Sequence, residues 1–176
     1  MAQPLVLTLR LDAASQKLLT SLRTRYFPQA RNYLQAHLTL FHALPSTSHN
    51  QIENILFRVV SREKPFTVGI KNPFLLGRKG VGINIASHKL RLFHEELMSD
   101  FGEAGLDLTE QDLRKIRPHV TVQNKVGEEE AKKTLEELKS TFKEMAGTAE
   151  GFVLWRYEDG GEWTHLTEFP FSGPRN

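Results

Sequence analysis

The stretch AHLTLFHALP, residues 36–45, alternates apolar and polar side chains up to a proline and carries a histidine and a threonine two positions apart. Alternation of this length predicts a β-strand, in which residues i and i+2 look out on one face roughly 6–7 Å apart. His37 and Thr39 therefore share a face, while Leu38 and Leu40 take the other and belong to a core. Continued alternation adds Phe41 to the His37 face and sends His42 to the opposite one. Taken alone, the triplet says little, because a satisfied, partly buried histidine is the commoner occupant of such a strand. A second copy reverses those odds. RPHVTVQNKV, residues 117–126, places His119 and Thr121 on one face, Val120 and Val122 on the other, and Gln123 in line with the polar face.

Working outward, the elements around the two stretches come in the same order. PLVLTLRL (4–11) alternates as a strand, and Asp12 caps a helix with an apolar stripe Ala14, Leu18, Leu22, Tyr26. After the first motif, Ser48 and Gln51 form a capping box for a helix bearing Ile52, Ile55, Leu56 and Val59. Strands are predicted at 65–71 and 73–79. GVGINIAS (80–87) restarts the order, with a helix through Leu90, Phe93, Leu97 and Phe101, then the second motif. A helix through Ala131, Leu135, Leu138, Phe142 and Met145 follows, and two strands joined at Asp159-Gly160-Gly161 close the chain. The expected fold is α+β and bilobal, one domain over 1–176. It consists of pseudo-twofold copies of a β-α-β-α-β-β unit (4–79 and 80–171), with two antiparallel-rich sheets flanking a central cleft and helices outside. His165-Leu166-Thr167 is a third triplet, but Ile83 stands at the position 82 residues before His165, so it is read as a cross-strand pair.

Composition narrows the chemistry. The chain has 176 residues, no cysteine and a net charge of +2. Disulfides, thiolate nucleophiles and Cys-based metal sites are excluded, and an anionic partner is permitted without being demanded. No run of about 18 apolar residues occurs, and the expected location is cytoplasmic. A histidine metal site is disfavoured: alternation separates His37 from His42, and His88 and His94 stand six apart on a helix, about 600° of turn. No metal and no cofactor is expected.

Two His-x-Thr strands converging from opposite walls suit a phosphodiester. In-line displacement puts the attacking and departing oxygens on opposite sides of phosphorus, so one imidazole can take a proton while the other gives one. The Thr39 and Thr121 hydroxyls can donate to the non-bridging oxygens. An unperturbed pKa of about 6.5 leaves either imidazole form accessible, and a bell-shaped pH dependence of kcat/KM is expected.

The paired HLTL and HVTV motifs, with LQAHLTLFHALP, IRPHVTVQNKV and the closing LWRYEDGGEWTHLTEFPF, resemble the two-histidine (2H) phosphoesterase superfamily, in particular its bacterial 2′-5′ RNA ligase/cyclic phosphodiesterase branch. The resemblance covers nearly the whole chain. It implies a metal-independent phosphodiesterase acting on 2′,3′-cyclic or 2′-5′ bonds of nucleotides or RNA ends, with His37 and His119 catalytic and Thr39 and Thr121 holding the phosphate. Alternatives are a reversible 2′-5′ RNA ligase and an RNA-binding module without turnover. The chain departs from the branch at FHALP, where many relatives have a Phe-Leu-Gly turn, and at QNK, which replaces a common Ala-Arg. Phe41 and Gln123 are candidate substrate contacts by alternation. Arg31 and Tyr33, in RTRYFPQARNYLQ with Arg25 and Tyr26, are candidates because arginine and tyrosine can grip phosphate and stack on bases. Trp155 and Tyr157 are expected on the packed face of the final hairpin.

Overall fold

The computed structural model describes residues 3–174. Its elements follow the order β1 (Leu5–Leu11), α1 (Ala13–Tyr26), β2 (Leu38–Leu44), α2 (His49–Val60), β3 (Phe66–Leu75), β4 (Val81–Ala86), α3 (His88–Glu103), β5 (His119–Gln123), α4 (Glu128–Thr141), β6 (Met145–Tyr157) and β7 (Trp163–Pro170). The α+β class and the antiparallel pairing are as expected. The strands form one continuous antiparallel sheet ordered β2-β1-β6-β3-β4-β5, with β7 also on β6, instead of two separate sheets.

β6 is the cause. It is 13 residues long, and its first part pairs Phe66–Ile70 of β3 while its second pairs β7. β1 runs along its other edge. The two ends of the sheet, β2-β1-β6-β7 and β6-β3-β4-β5, therefore share β6, and each draws strands from both halves of the chain. α4 ends at Thr141, so Met145 and Gly147, expected at the end of that helix, are free to pair with β3. The two strands predicted at 65–71 and 73–79 are one, β3, with a register shift between Ile70 and Pro73. The predicted capping box is also absent: Ser48 ends a 3₁₀ turn and its side chain makes no cap bond to α2.

The curl of the sheet is what makes a site. β2 and β5 sit at opposite ends of the strand order, yet their Cα atoms come within 8 Å of one another. α1 packs beside β5 and α4 beneath β3 and β4. The buried side of α1 is Ser15, Leu19 and Arg23, rotated from the predicted stripe, in which Ala14 is exposed. Asp12 caps the helix by accepting from the Ser15 N–H at 2.9 Å, and its other oxygen accepts from the Thr148 N–H at 2.7 Å. That second bond ties α1 to β6 and fixes the helix rotation. Among the described residues no helix is long and apolar enough to cross a membrane.

Candidate functional site

His37 and His119 are held in the same way. His37 Nδ1 lies 2.8 Å from the Gln35 carbonyl oxygen, and His119 Nδ1 lies 2.7 Å from the Arg117 carbonyl oxygen. A carbonyl only accepts, so in each ring Nδ1 carries the proton and the neutral form leaves Nε2 as a free acceptor. Burial lowers the His37 pKa to about 4, against the opposing Gln35 hydrogen bond, with Arg23, His42 and His119 charges lowering it further. Burial likewise lowers His119, again against its carbonyl bond and helped by Arg117 and His42. Both rings are backed by aromatics: Trp163 tilts against His37 at 4.5 Å, and Phe74 meets His119 edge-on at 5.8 Å. Gly82, the cross-strand partner of Thr121, makes the second contact possible, since a Cβ there would fall 2.8 Å from the Phe74 ring.

Both motif strands break their alternation at the same place. Thr8 pairs with Thr39 but Leu7 pairs with Phe41; Gly82 pairs with Thr121 but Val81 pairs with Gln123. One extra residue, Leu40 in β2 and Val122 in β5, is bulged, and a bulge switches which face the following side chains take. Phe41 is therefore fully buried, stacked on His94 at 4.6 Å and edge-on to Phe101 at 5.2 Å. Gln123 is buried as well and donates to Thr134 Oγ1 on α4 at 2.9 Å. Neither reaches the cleft, contrary to the extrapolated alternation. The residue after each bulged pair returns to the cleft face. His42, expected on the far side, lies with Thr39, its Nδ1 3.3 Å from Asp112 Oδ1. The buried Asp112 carboxylate also accepts the His42 and Ala43 N–H groups at 2.8 and 2.9 Å. Burial would raise the Asp112 pKa, but these bonds outweigh it and hold it low.

The other candidates divide. Arg31 and Tyr33 line a cavity of about 590 Å³ together with His37 and Thr121, so these two are at the site. Arg25 and Tyr26 turn away toward Glu137 on α4. Tyr157 lines the same cavity and Trp155 a neighbouring one, so the final hairpin contributes cleft wall where packed face was expected. His165 does meet Trp155 across strands, edge-on at 5.3 Å. Among the described residues no three His, Cys, Asp or Glu side chains form a metal-holding group.

Arg23 escaped the sequence reading. Its Nε donates to Asn32 Oδ1 at 2.8 Å and to the Leu34 carbonyl at 3.0 Å, and its Nη1 to the Thr121 carbonyl at 3.3 Å. One guanidinium thus ties the segment entering the first motif to the second motif. Burial lowers its pKa to about 10, so it stays charged at neutral pH. The available signal was its i, i+4, i+8 spacing with Ser15 and Leu19.

Two imidazoles, each with Nδ1 locked to a carbonyl, thus stand on strands from opposite ends of the sheet that approach one another. The chain belongs to the 2′-5′ RNA ligase superfamily, whose family model matches residues 11–161, and this places it among phosphoesterase- and ligase-type enzymes. TT0787 of Thermus thermophilus has a similar structure, with a TM-score of 0.68 at 17% identity over 98% of this chain and 100% of that one. E. coli LigT complexed with 3′-AMP matches with a TM-score of 0.68, 17% identity and 98% and 99% coverage. LigT complexed with phosphate matches at 0.63, 16%, and 97% and 98%. No curated protein matches the sequence.

Proposed function

We propose that the protein is a metal-independent phosphodiesterase that opens 2′,3′-cyclic phosphates, or cleaves 2′-5′ bonds, of nucleotides or RNA ends. The observation that carries the reading is the matched lock on His37 and His119, which leaves each Nε2 free on strands that approach from opposite ends of the sheet. His37, the more strongly depressed imidazole, is neutral near pH 7 and is assigned as the base. Its Nε2 takes the proton of a water whose oxygen bonds to phosphorus. The opposite P–O bond breaks, and protonated His119 delivers its Nε2 proton to the departing ribose oxygen. The anionic substrate favours that protonated form of His119. Thr39 and Thr121 hydroxyls donate to the non-bridging oxygens. Arg23 acts as a positioning residue that holds the two motifs in register. The repeated bulge and the repeated histidine lock support the division into copies 4–79 and 80–171.

The test is hydrolysis of 2′,3′-cyclic AMP by the purified protein in excess EDTA, with the product separated as the 2′- or the 3′-phosphate. Turnover that survives chelation with a single positional product is expected. Activity restored only by added metal, or binding without turnover, refutes the reading.

A further inference from the structure

His37 stands between two cavities of about 590 and 500 Å³, both within the ~300–1,000 Å³ typical of ligand sites. Their charges differ. In the smaller one the only Lys or Arg among the described residues is Arg10, which is engaged by Glu150 at 3.4 Å and by Glu168 at 3.6 Å, the latter a wall residue of the same cavity. In the larger one Arg23, Arg31 and Lys125 face a single carboxylate, Asp159, and among the described residues none of these three cations makes an ion pair. Arg23 is 5% exposed and spends Nε and Nη1 on the chain itself, while its Nη2 makes no bond to a described residue and is not sealed from solvent. Lys125 sits at φ +61°, a left-handed conformation uncommon for a side-chain-bearing residue, held by its N–H donating to Asn124 Oδ1 at 2.9 Å. Backbone strain of this kind concentrates at functional sites. Tyr33 and Trp163 supply flat aromatic surface in the same wall.

We propose that the larger cavity is a subsite for a second phosphate group of the substrate, read by Arg31 and Lys125 with the open edge of Arg23, so that a nucleotide bearing one phosphate is a poorer ligand than one bearing two. The inference rests on the phosphodiester reading above, which seats the reacting phosphate between the motifs. The second phosphate has two sources with one chemistry: the 5′-phosphate of a free nucleotide, or the preceding phosphodiester of an RNA end.

Calorimetric titration separates these without requiring turnover. The ligands are adenosine 3′-monophosphate, adenosine 3′,5′-bisphosphate and the dinucleotide ApAp, at about 50 mM salt, where surface charges are least screened. A second phosphate is expected to tighten binding about tenfold, and Arg31→Gln/Lys125→Gln, both exposed positions, to abolish that gain without lowering Tm. A gain confined to the bisphosphate assigns the subsite to free nucleotides; a gain confined to ApAp assigns it to RNA ends. Equal affinity for all three ligands, or a gain that persists in the double variant, overturns the proposal. Hydrolysis is scored separately, so a chain that discriminates between these ligands but does not turn over 2′,3′-cyclic AMP loses the catalytic reading alone.

Discussion

Replacing Arg23 by Met keeps most of the buried stem and removes the guanidinium that bridges Asn32, Leu34 and Thr121. Hydrogen bonds from a charged donor contribute roughly 1.5–3 kcal/mol each. The Thr121 contact is long at 3.3 Å, the adjoining cavity admits water to the freed carbonyls, and the wild-type burial cost of the charge disappears. A net loss of about 2–4 kcal/mol follows, which for a chain of this size lowers Tm by about 5–15 °C. Displacing one motif by even 1 Å relative to the other costs on the order of 100-fold in kcat. The electrostatic part is separable. The Arg23 charge contributes to lowering His37, so its removal raises that pKa and moves the acid limb of kcat/KM to higher pH. Arg23→Lys keeps the charge but not the fork, and should retain the wild-type acid limb while kcat stays low. The assay is the pH profile of 2′,3′-cyclic AMP hydrolysis with thermal melts of the same samples. Wild-type kcat and Tm in Arg23→Met, or identical acid limbs in the Met and Lys variants, refute the assignment.

Further expectations concern the same strands. His37 has a folded pKa of about 4 against an ordinary value of 6.5, so the unfolded chain takes up its proton first as pH falls. The stability it contributes is complete above pH 6.5 and is lost down to about pH 4, by at most about 3 kcal/mol, less where cavity water reaches the ring. Denaturant melts should show His37→Gln losing less stability than wild type over that window. Phe41→Ala should cost about 3–5 kcal/mol as a core truncation, whereas a role in base stacking would raise KM at unchanged stability. Thr39→Val and Thr121→Val should each lower kcat about 10²-fold or more with Tm nearly unchanged; an effect on KM alone would assign them to ground-state binding.

The α+β class and the placement of each His-x-Thr pair were legible in the sequence. His37 with Thr39, and His119 with Thr121, stand two residues apart, a distance over which strand alternation is secure. Two residues further on, the same rule failed in both strands, since a bulge leaves no mark in an apolar run such as Leu40-Phe41 or in Val122-Gln123. That failure hid Phe41 and Gln123 in the interior and concealed His42 in the cleft. Arg23 was invisible for a different reason: a charged residue on a helix is assumed to be solvated, and the partners that hold it inward, Asn32, Leu34 and Thr121, are distant or backbone groups that no local pattern marks. The single sheet depended on where α4 stops, because Phe142 and Met145 fit the helical spacing as well as they fit a strand entry.

The proposed reaction requires His37 and His119 to act on one phosphate. Its most direct test is the rate of 2′,3′-cyclic AMP hydrolysis by His37→Ala, His119→Ala and the double variant under single-turnover conditions. Each single variant should lose on the order of 10²–10⁴-fold, and the double variant little more than the worse single, as expected for groups acting as a unit. A single variant retaining wild-type chemistry, or losses that multiply in the double variant, would contradict it.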